Sequence, residues 1–522
     1  MSEADFVWAV PEQFNFATDV VDYWARDPKR LALIAVDESG AEHRYTFQEI
    51  SQASQRLANL LAQAGLNRGD RVVVMLPRIA QWQISMVAVM RLGAVPIPCI
   101  TMLTEKDVAY RVEHSGAVGA ITLSNETAKY SGLDQLKVKV CVGQGPDGWA
   151  SFDDAAQYSD TCNAASVHQE DPAILYYTSG STGAPKGVTH SARAIWAWRF
   201  SAQYWLGLTA EDRIWCTADT GWSKAGTSIL FGPWSQGASV LFYDGPFDPQ
   251  VRLRLLETYQ VSCFCAAATE LRRLVLEDVS QFNLENLQST VSAGESVNPE
   301  VIERWRALTG TTVLDGYGQT ETLMTITNRP ELPVKPGSMG VPLPGLTIGV
   351  CDAENQSVAA QGDGELVLAL PYPQLMLGYW QDPERTSDTQ IRIDGSDWYR
   401  TGDNVAIDDQ GYVFYTGRAD DIINSSGYRI GPQEVENALS EHDAVLECAV
   451  VGVPDEERGE LVKAWIVLAP GISANAELVR ELQDHAKRVT APYKYPRQIA
   501  FADDLPKTVS GKIRRNVLRE RG

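Results

Sequence analysis

The chain has no C-x-x-C pair: its eight cysteines stand at 99, 141, 162, 216, 263, 265, 351 and 448. With 522 residues it needs no disulfide staples, so these read as reduced, mostly buried thiols. Histidine is scarce too. The six are scattered singly, none at metal-ligand spacing with Cys or another His, which argues against a built-in transition-metal site. Basic residues are outnumbered, 45 Lys plus Arg against 67 Asp plus Glu, and a formal charge of −22 argues against a general nucleic-acid or anionic-membrane surface. A phosphate-bearing ligand must therefore be held by local clusters of donors. No uncharged apolar run approaches the roughly 18 residues that cross a bilayer. The start, Met1 to Trp8, has neither a basic segment leading an apolar core nor an Arg-rich amphipathic pattern, so a cytoplasmic location is expected. Internal repeats and low-complexity tracts are absent.

What is present is a large apolar fraction, 44%, with 21% charged residues, enough to bury a core divided into two or more domains. Thr46 and Glu49 make a capping box, and Ile50, Ala53, Leu57, Leu60 and Leu61 recur at helical spacing, which predicts a helix over 46–64 closed by Gly65. A buried strand over 72–76, a helix over 80–92 and a strand over 94–97 complete a βαβ unit. Further strands are expected near 173–177, 238–243, 261–265, 289–293 and 311–314, with helices between them. That alternation predicts an α/β fold with mainly parallel sheets, in two doubly wound subdomains. After about 340 the texture turns to Gly/Pro-punctuated short strands, a smaller β-rich lobe. Gly431-Pro432 then opens a helix to 439, strands follow at 449–453 and 463–468, and a helix spans 477–488, an α+β unit of its own.

Tyr176-Tyr-Thr-Ser-Gly-Ser-Thr-Gly-Ala-Pro-Lys-Gly187 follows a predicted strand and gathers glycines, hydroxyls and a lysine. Backbone N–H groups freed by Gly180 and Gly183, the hydroxyls of Thr178, Ser179, Ser181 and Thr182, and the Lys186 ammonium form a phosphate grip. Its order does not match a Walker A loop. Asp315-Gly-Tyr-Gly-Gln-Thr-Glu321 ends in a hydroxyl beside a carboxylate, where Thr320 can contact a phosphate and Glu321 a phosphate-bound Mg²⁺. Tyr399-Arg-Thr-Gly-Asp403 and Gly417-Arg-Ala-Asp-Asp421 put Asp403, a bidentate acceptor for ribose hydroxyls, and Arg418, a phosphate donor, near glycine turns. Each segment alone passes for a cap, a salt-bridged turn or a solvated end; the set carries the chemistry. Pro506-Lys-Thr-Val-Ser-Gly-Lys512 sits in a basic tail of an otherwise acidic chain.

In this order the segments resemble the adenylate-forming superfamily of acyl-CoA synthetases, firefly luciferases and peptide-synthetase adenylation domains, from about residue 20 onward. Asp219-Thr-Gly-Trp222, Tyr317 to Glu321, Ala419 to Gly431 and Ala491 to Arg497 look most like medium-chain acyl-CoA synthetases. The resemblance implies ATP, Mg²⁺ and coenzyme A as ligands, with Thr178 to Lys186 on the ATP phosphates. Gly294, Glu295 and Ser296 with Asp315, Gly316 and Tyr317 would flank the adenine, followed by Gly318 and Gln319, and Asp403 would hold the ribose. Thr320, Glu321 and Arg418 complete the phosphate and metal contacts, and Lys512 becomes the catalytic lysine. It also implies an adenylating domain over 1–419 and a mobile C-terminal domain over 420–522, hinged at Asp420. In a second pose that domain would present Ser426, Gly427, Tyr428 and Arg429 to coenzyme A, with Arg458, Tyr495, Pro496 and Arg497 as further contacts. Met102 departs from the polar residue that the medium-chain group tends to carry.

Acetate-specific relatives place Trp where this chain has Gly318, so a longer or wider acid is expected, against walls formed by Trp222, Ala267, Ala268 and Ser292. The expectation is an AMP-forming acid–thiol ligase acting on a medium-chain fatty acid or an aryl acid. Transfer to a carrier-protein thiol, a propionate or butyrate substrate, and a nucleotide-sensing protein without turnover are the rivals.

Overall fold

In the computed structural model, which describes residues 6–178, 184–295, 297–352, 357–418, 421, 423–425, 428–455, 458–490, 494–507 and 513–521, the capping box forms in both directions. Glu49 N donates to Thr46 Oγ1 at 3.2 Å, Thr46 N donates to Glu49 Oε2 at 2.7 Å, and the helix runs Phe47–Gln63. Its apolar stripe, Ile50, Leu57, Leu60 and Leu61, is buried in the largest core cluster.

Two α/β layers carry the N-terminal part. One is a five-stranded parallel sheet in the order Val95–Pro98, Arg71–Met75, Gly119–Leu123, Val138–Val142, Ala150–Ser151. The other has a parallel centre in the order Leu31–Asp37, Ser239–Asp244, Arg213–Cys216, Cys263–Cys265, Ser289–Ala293, Val313–Gln319. Arg71–Met75 and Ser239–Asp244 are near-continuous buried apolar runs, as central strands of parallel sheets tend to be.

Three differences from the sequence-based expectation bear on function. The strand expected over 311–314 extends through Gln319, so Asp315 to Gln319 lie on a strand instead of following one. The strand Pro172–Thr178 is an arm of an antiparallel hairpin with Lys186–Ser191, outside both parallel sheets, and the phosphate segment joins its two arms. The β-rich lobe does not make a separate sheet. From Val313–Gln319 the large sheet turns antiparallel and continues through Leu323–Thr327, Ser338–Pro342, Val413–Arg418, Ser396–Ile407 and Gly362–Ala369.

The C-terminal part has its own sheet, in the order Tyr428–Ile430, Ile423–Ser425, Gly459–Leu468, Val445–Asp455, with Gln498–Phe501 pairing parallel to Gly459–Leu468. Helices Pro432–Ser440 and Ala476–Val489 lay Val435, Leu439, Leu478 and Leu482 on it, closing a hydrophobic cluster drawn entirely from beyond residue 420. Each such side chain contributes about 1.5–3 kcal/mol when fully buried, so this unit holds a core independent of the larger one. Among the described residues, no helix is long and apolar enough to cross a membrane.

Candidate active site

Side chains on one face of a strand recur every second residue, so Lys186, Val188 and His190 share a face of Lys186–Ser191. That face meets the turn after Val313–Gln319. Lys186 Nζ donates to Glu321 Oε1 at 3.3 Å and to the Tyr379 hydroxyl at 3.1 Å, and the Tyr379 hydroxyl donates to Glu321 Oε1 at 2.8 Å. Tyr379 reaches this point because Gly378–Tyr379 pairs antiparallel with Thr189 and Val188. Met376 N fixes the Glu321 backbone by donating to its carbonyl at 2.8 Å. The Glu321 carboxylate thus lies, largely buried, at the root of the phosphate segment. Thr320 presents its hydroxyl to Ser223 Oγ at 3.2 Å. At the loop end of the hairpin, Thr178 Oγ1 is buried without a hydrogen-bond partner among the described residues. Ser179 to Gly183 lie outside the described residues.

A second node links Val313–Gln319, the last strand of the parallel part, to Ser396–Ile407 and Val413–Arg418 of the antiparallel part. Asp403, 4% exposed, receives the Tyr317 hydroxyl at 2.5 Å and Gln319 Nε2 at 2.6 Å on Oδ2, and Arg418 at 3.2 Å on Oδ1. Gln319 Nε2 also donates to the Thr401 carbonyl at 2.7 Å, while Tyr399 donates to Gln319 Oε1 at 3.3 Å. Arg418 faces Asp403 because the two are register partners on adjoining strands. Burial pushes the Asp403 carboxyl above its usual value, against the pull of Arg418 and the hydrogen bonds.

Asp315, register partner of Ser292, takes its own neighbour's N–H, from Gly316, at 2.9 Å, and burial raises its carboxyl to about 7. Gly316 leaves room for Trp205 and the Met324 side chain, which a Cβ would crowd at 3.0 and 2.7 Å. Gly294 follows Ser289–Ala293 at φ +97 with open space where a Cβ would stand, and Glu295 accepts from Thr269 Oγ1 at 3.3 Å. Ser296 lies outside the described residues.

On the expected acyl side, Trp222 is half-buried against the main core cluster, and Gly221 packs so tightly on the Cys99–Ile100 backbone that a Cβ would sit 2.3 Å from Ile100 N. Ala267 caps helix Ala268–Leu274 and is half-buried. Ala268 does not join Trp222: it packs in a different cluster, with Phe264 and Trp305, because it is the first residue of that helix and turns into the core. Ser292 is buried, and its hydroxyl has no hydrogen-bond partner among the described residues. Gly318 faces strand Leu323–Thr327 at an irregularity in register, where a Cβ would lie 1.9 Å from the Leu323 carbonyl oxygen. Its lack of a side chain is a backbone requirement of the 319–323 turn as well as an opening. Lys224 places a charge near these walls; it is half-buried and donates to the Ala293 carbonyl at 3.1 Å. Met102 is 70% exposed.

In the C-terminal unit, Tyr428 and Arg429 lie on the strand Tyr428–Ile430, and Arg458 N donates to Asp455 Oδ1 at 2.9 Å in the turn before Gly459–Leu468. Tyr495 is flanked by two cations, Lys487 at 4.4 Å and Arg497 at 4.8 Å from its ring centre, and Arg497 also donates to its hydroxyl at 2.7 Å. Gln483 Nε2 ties down this corner by donating to the Pro496 and Arg497 carbonyls, both at 3.1 Å. Asp420, Ser426, Gly427 and Lys512 lie outside the described residues.

His190, Lys224 and Tyr379 went unremarked in the sequence, since each is a lone residue without motif spacing. The two-residue period from Lys186 was the signal that could have found His190.

A buried carboxylate at the foot of a phosphate segment, and a second one ringed by donors, define an enzyme that handles a nucleotide at strand ends of a mixed sheet. Residues 21–380 match the AMP-binding enzyme family and residues 434–512 match the AMP-binding enzyme C-terminal domain. The chain belongs to the AMP-binding enzyme family. It is 41% identical over 539 residues to the mitochondrial acyl-coenzyme A synthetase ACSM3 of Mus musculus, covering 99% of this chain and 92% of that protein. The anthranilate CoA ligase AuaEII in complex with anthranoyl-AMP superposes with a TM-score of 0.88 at 31% identity, covering 100% of this chain and 99% of that one. A benzoate CoA ligase from Burkholderia xenovorans LB400 gives 0.84 at 28%, covering 97% and 100%. Within the family, then, this chain is an AMP-forming carboxylic acid:CoA ligase working through an acyl-adenylate. The mitochondrial relatives overturn the expected cytoplasmic location, which rested on reading the first residues for a leader pattern.

Proposed function

We propose that this ligase activates a medium-chain fatty acid or an aryl carboxylic acid. The acid attacks the ATP α-phosphate, releasing pyrophosphate, and coenzyme A then displaces AMP from the mixed anhydride. The observation that carries the nucleotide half is the Asp403 node: a buried carboxylate, oriented by Tyr317, Gln319 and Arg418 from three directions, is an acceptor held ready for two vicinal ribose hydroxyls. Asp315 to Gly318 and Gly294 to Ser296 line the adenine side. Thr178 to Gly183, Lys186, Thr320 and Arg418 take the phosphates.

The donor set fits Mg²⁺ bound mainly through phosphate oxygens. Glu321 offers a carboxylate beside the Thr320 hydroxyl, and no cluster of three or more metal-binding side chains exists among the described residues. Glu321 would hold the ion, which supplies charge neutralisation on the phosphates. Lys186, now bonded to Glu321 and Tyr379, would turn to phosphate oxygens. Lys512 would bridge the substrate carboxylate and the α-phosphate as charge develops between them.

The division between the domains is placed at 419/420 with Asp420 as hinge. The cation-flanked Tyr495 and the turn at Arg458 supply donors for coenzyme A phosphates, alongside Ser426 to Arg429 and Pro496. On the acyl side, half-buried Trp222 and Ala267 and buried Ser292 make an uncharged wall, while the nearby Lys224 ammonium is engaged by the Ala293 carbonyl. The aryl-acid ligases that superpose on this chain support the wider substrate.

The test is CoA-dependent AMP release with MgATP across acetate, butyrate, hexanoate, octanoate, decanoate and benzoate. A maximum at a medium-chain or aryl acid is expected. A maximum at acetate or butyrate overturns the substrate class, and pyrophosphate release without CoA-dependent turnover moves the acceptor to a carrier-protein thiol.

A further inference from the structure

Lys186 and His190 project from one face of the hairpin arm onto consecutive residues of the turn. Lys186 meets the Glu321 carboxylate, and His190 Nε2 lies 2.6 Å from the Thr320 carbonyl oxygen. A carbonyl only accepts, so Nε2 carries the proton and Nδ1 is a bare acceptor. His190 is fully buried, and Nδ1 has no hydrogen-bond partner among the described residues. The groups acting on the ring are Glu321 and the Thr320 carbonyl, which favour a proton, and Arg193, which opposes it; the Trp198 ring stands at 6.0 Å. Burial outweighs them and holds the imidazole neutral, with its transition lowered to about 4. The two links differ in kind. The Lys186 contact is between side chains and must open when phosphates arrive, whereas the His190 contact is to backbone and can persist through the reaction.

We propose that His190 is a positioning residue for adenylation: by holding the Thr320 carbonyl it fixes the turn bearing Thr320 and Glu321 to the hairpin that bears the phosphate segment. This rests on the nucleotide reading given above. A neutral donor suits the task, because a cation here would compete with Lys186 for Glu321. Its loss frees the turn to shift relative to the phosphate segment, and displacements of about 1 Å cost up to about 100-fold in rate.

The experiment compares His190→Leu, which removes the donor, with His190→Gln, which restores an N–H, in the full chain. Readouts are acid-dependent ATP–pyrophosphate exchange, thioester formation from supplied acyl-AMP and CoA, and Tm. His190→Leu is expected to lose about 10- to 100-fold in kcat/KM for MgATP in the exchange reaction while thioester formation stays within about twofold, and His190→Gln to recover most of the loss. Equal losses in both variants, or both half-reactions falling together in step with Tm, overturn the proposal and leave His190 a packing residue. Wild-type protein silent in the exchange reaction overturns the adenylation reading, and the proposal with it.

Discussion

The two halves of the site are built differently. On the proposed nucleotide side, Asp403 and Arg418 project from adjoining strands, Tyr317 and Gln319 reach them from a strand farther along the same sheet, and the four are joined by hydrogen bonds. On the C-terminal side, the clearest cluster among the described candidates is a half-buried ring between two cations, Tyr495 with Lys487 and Arg497. On the function proposed above, the contrast separates preorganised charge stabilisation from recognition of a mobile cofactor tail. A buried, hydrogen-bonded node acts through orientation and should be costly to disturb. A half-buried cation open to solvent acts through more strongly screened attraction and should be cheaper to lose.

The largest effect tests the exception, a C-terminal residue expected to act within the buried half. Lys512→Ala should lower adenylation by about 10²- to 10³-fold, measured by pyrophosphate exchange, while sparing thioester formation from supplied acyl-AMP. Loss of both halves would break the division of labour. Next, Asp403→Asn should raise KM for ATP by about 10- to 100-fold, as expected for charged hydrogen bonds worth about 1.5–3 kcal/mol, with little change in KM for coenzyme A. Arg497→Ala should raise KM for coenzyme A by only about 3- to 10-fold, an effect that shrinks in added salt. If Arg497→Ala proved as costly as Asp403→Asn, the half-buried cluster would have to be as preorganised as the buried one.

The smallest effect concerns stability. Asp315 keeps its proton in the folded chain up to about pH 7, whereas an ordinary aspartate releases it near 3.8. Between those values the folded state binds the extra proton, so this group's contribution to stability falls as pH rises from about 4 to 7 and is flat above. Asp315→Asn has no such titration. Its Tm should gain on wild type across that window, by about 2–4 °C per kcal/mol recovered, and hold the gain at higher pH.

Much of this was legible in the residues. The Thr46/Glu49 box marks its helix because both partners are local, and Pro432 opens the helix Pro432–Ser440 for the same reason. The phosphate segment and the Asp315 to Glu321 run announce themselves by composition. What failed depended on partners distant in sequence. Nothing in residues 172–178 says that their neighbour is the antiparallel arm 186–191 instead of a parallel strand, and nothing in Ala268 says which side of the sheet it will face. His190 and Tyr379 become meaningful only when strand pairing sets them against Glu321 and Thr320.

Gly318 bears on how such a scaffold changes its diet. Because a Cβ there would collide with the Leu323 carbonyl, a bulky residue at 318 is first a folding error and only afterwards a filter on acid size. Narrowing the chamber is therefore a graft of two pieces, the side chain together with a turn over 319–323 rebuilt to receive it. That turn also carries Thr320 and Glu321, so on the function proposed above substrate range and catalytic geometry are inherited together, and an engineer who trades one must re-tune the other.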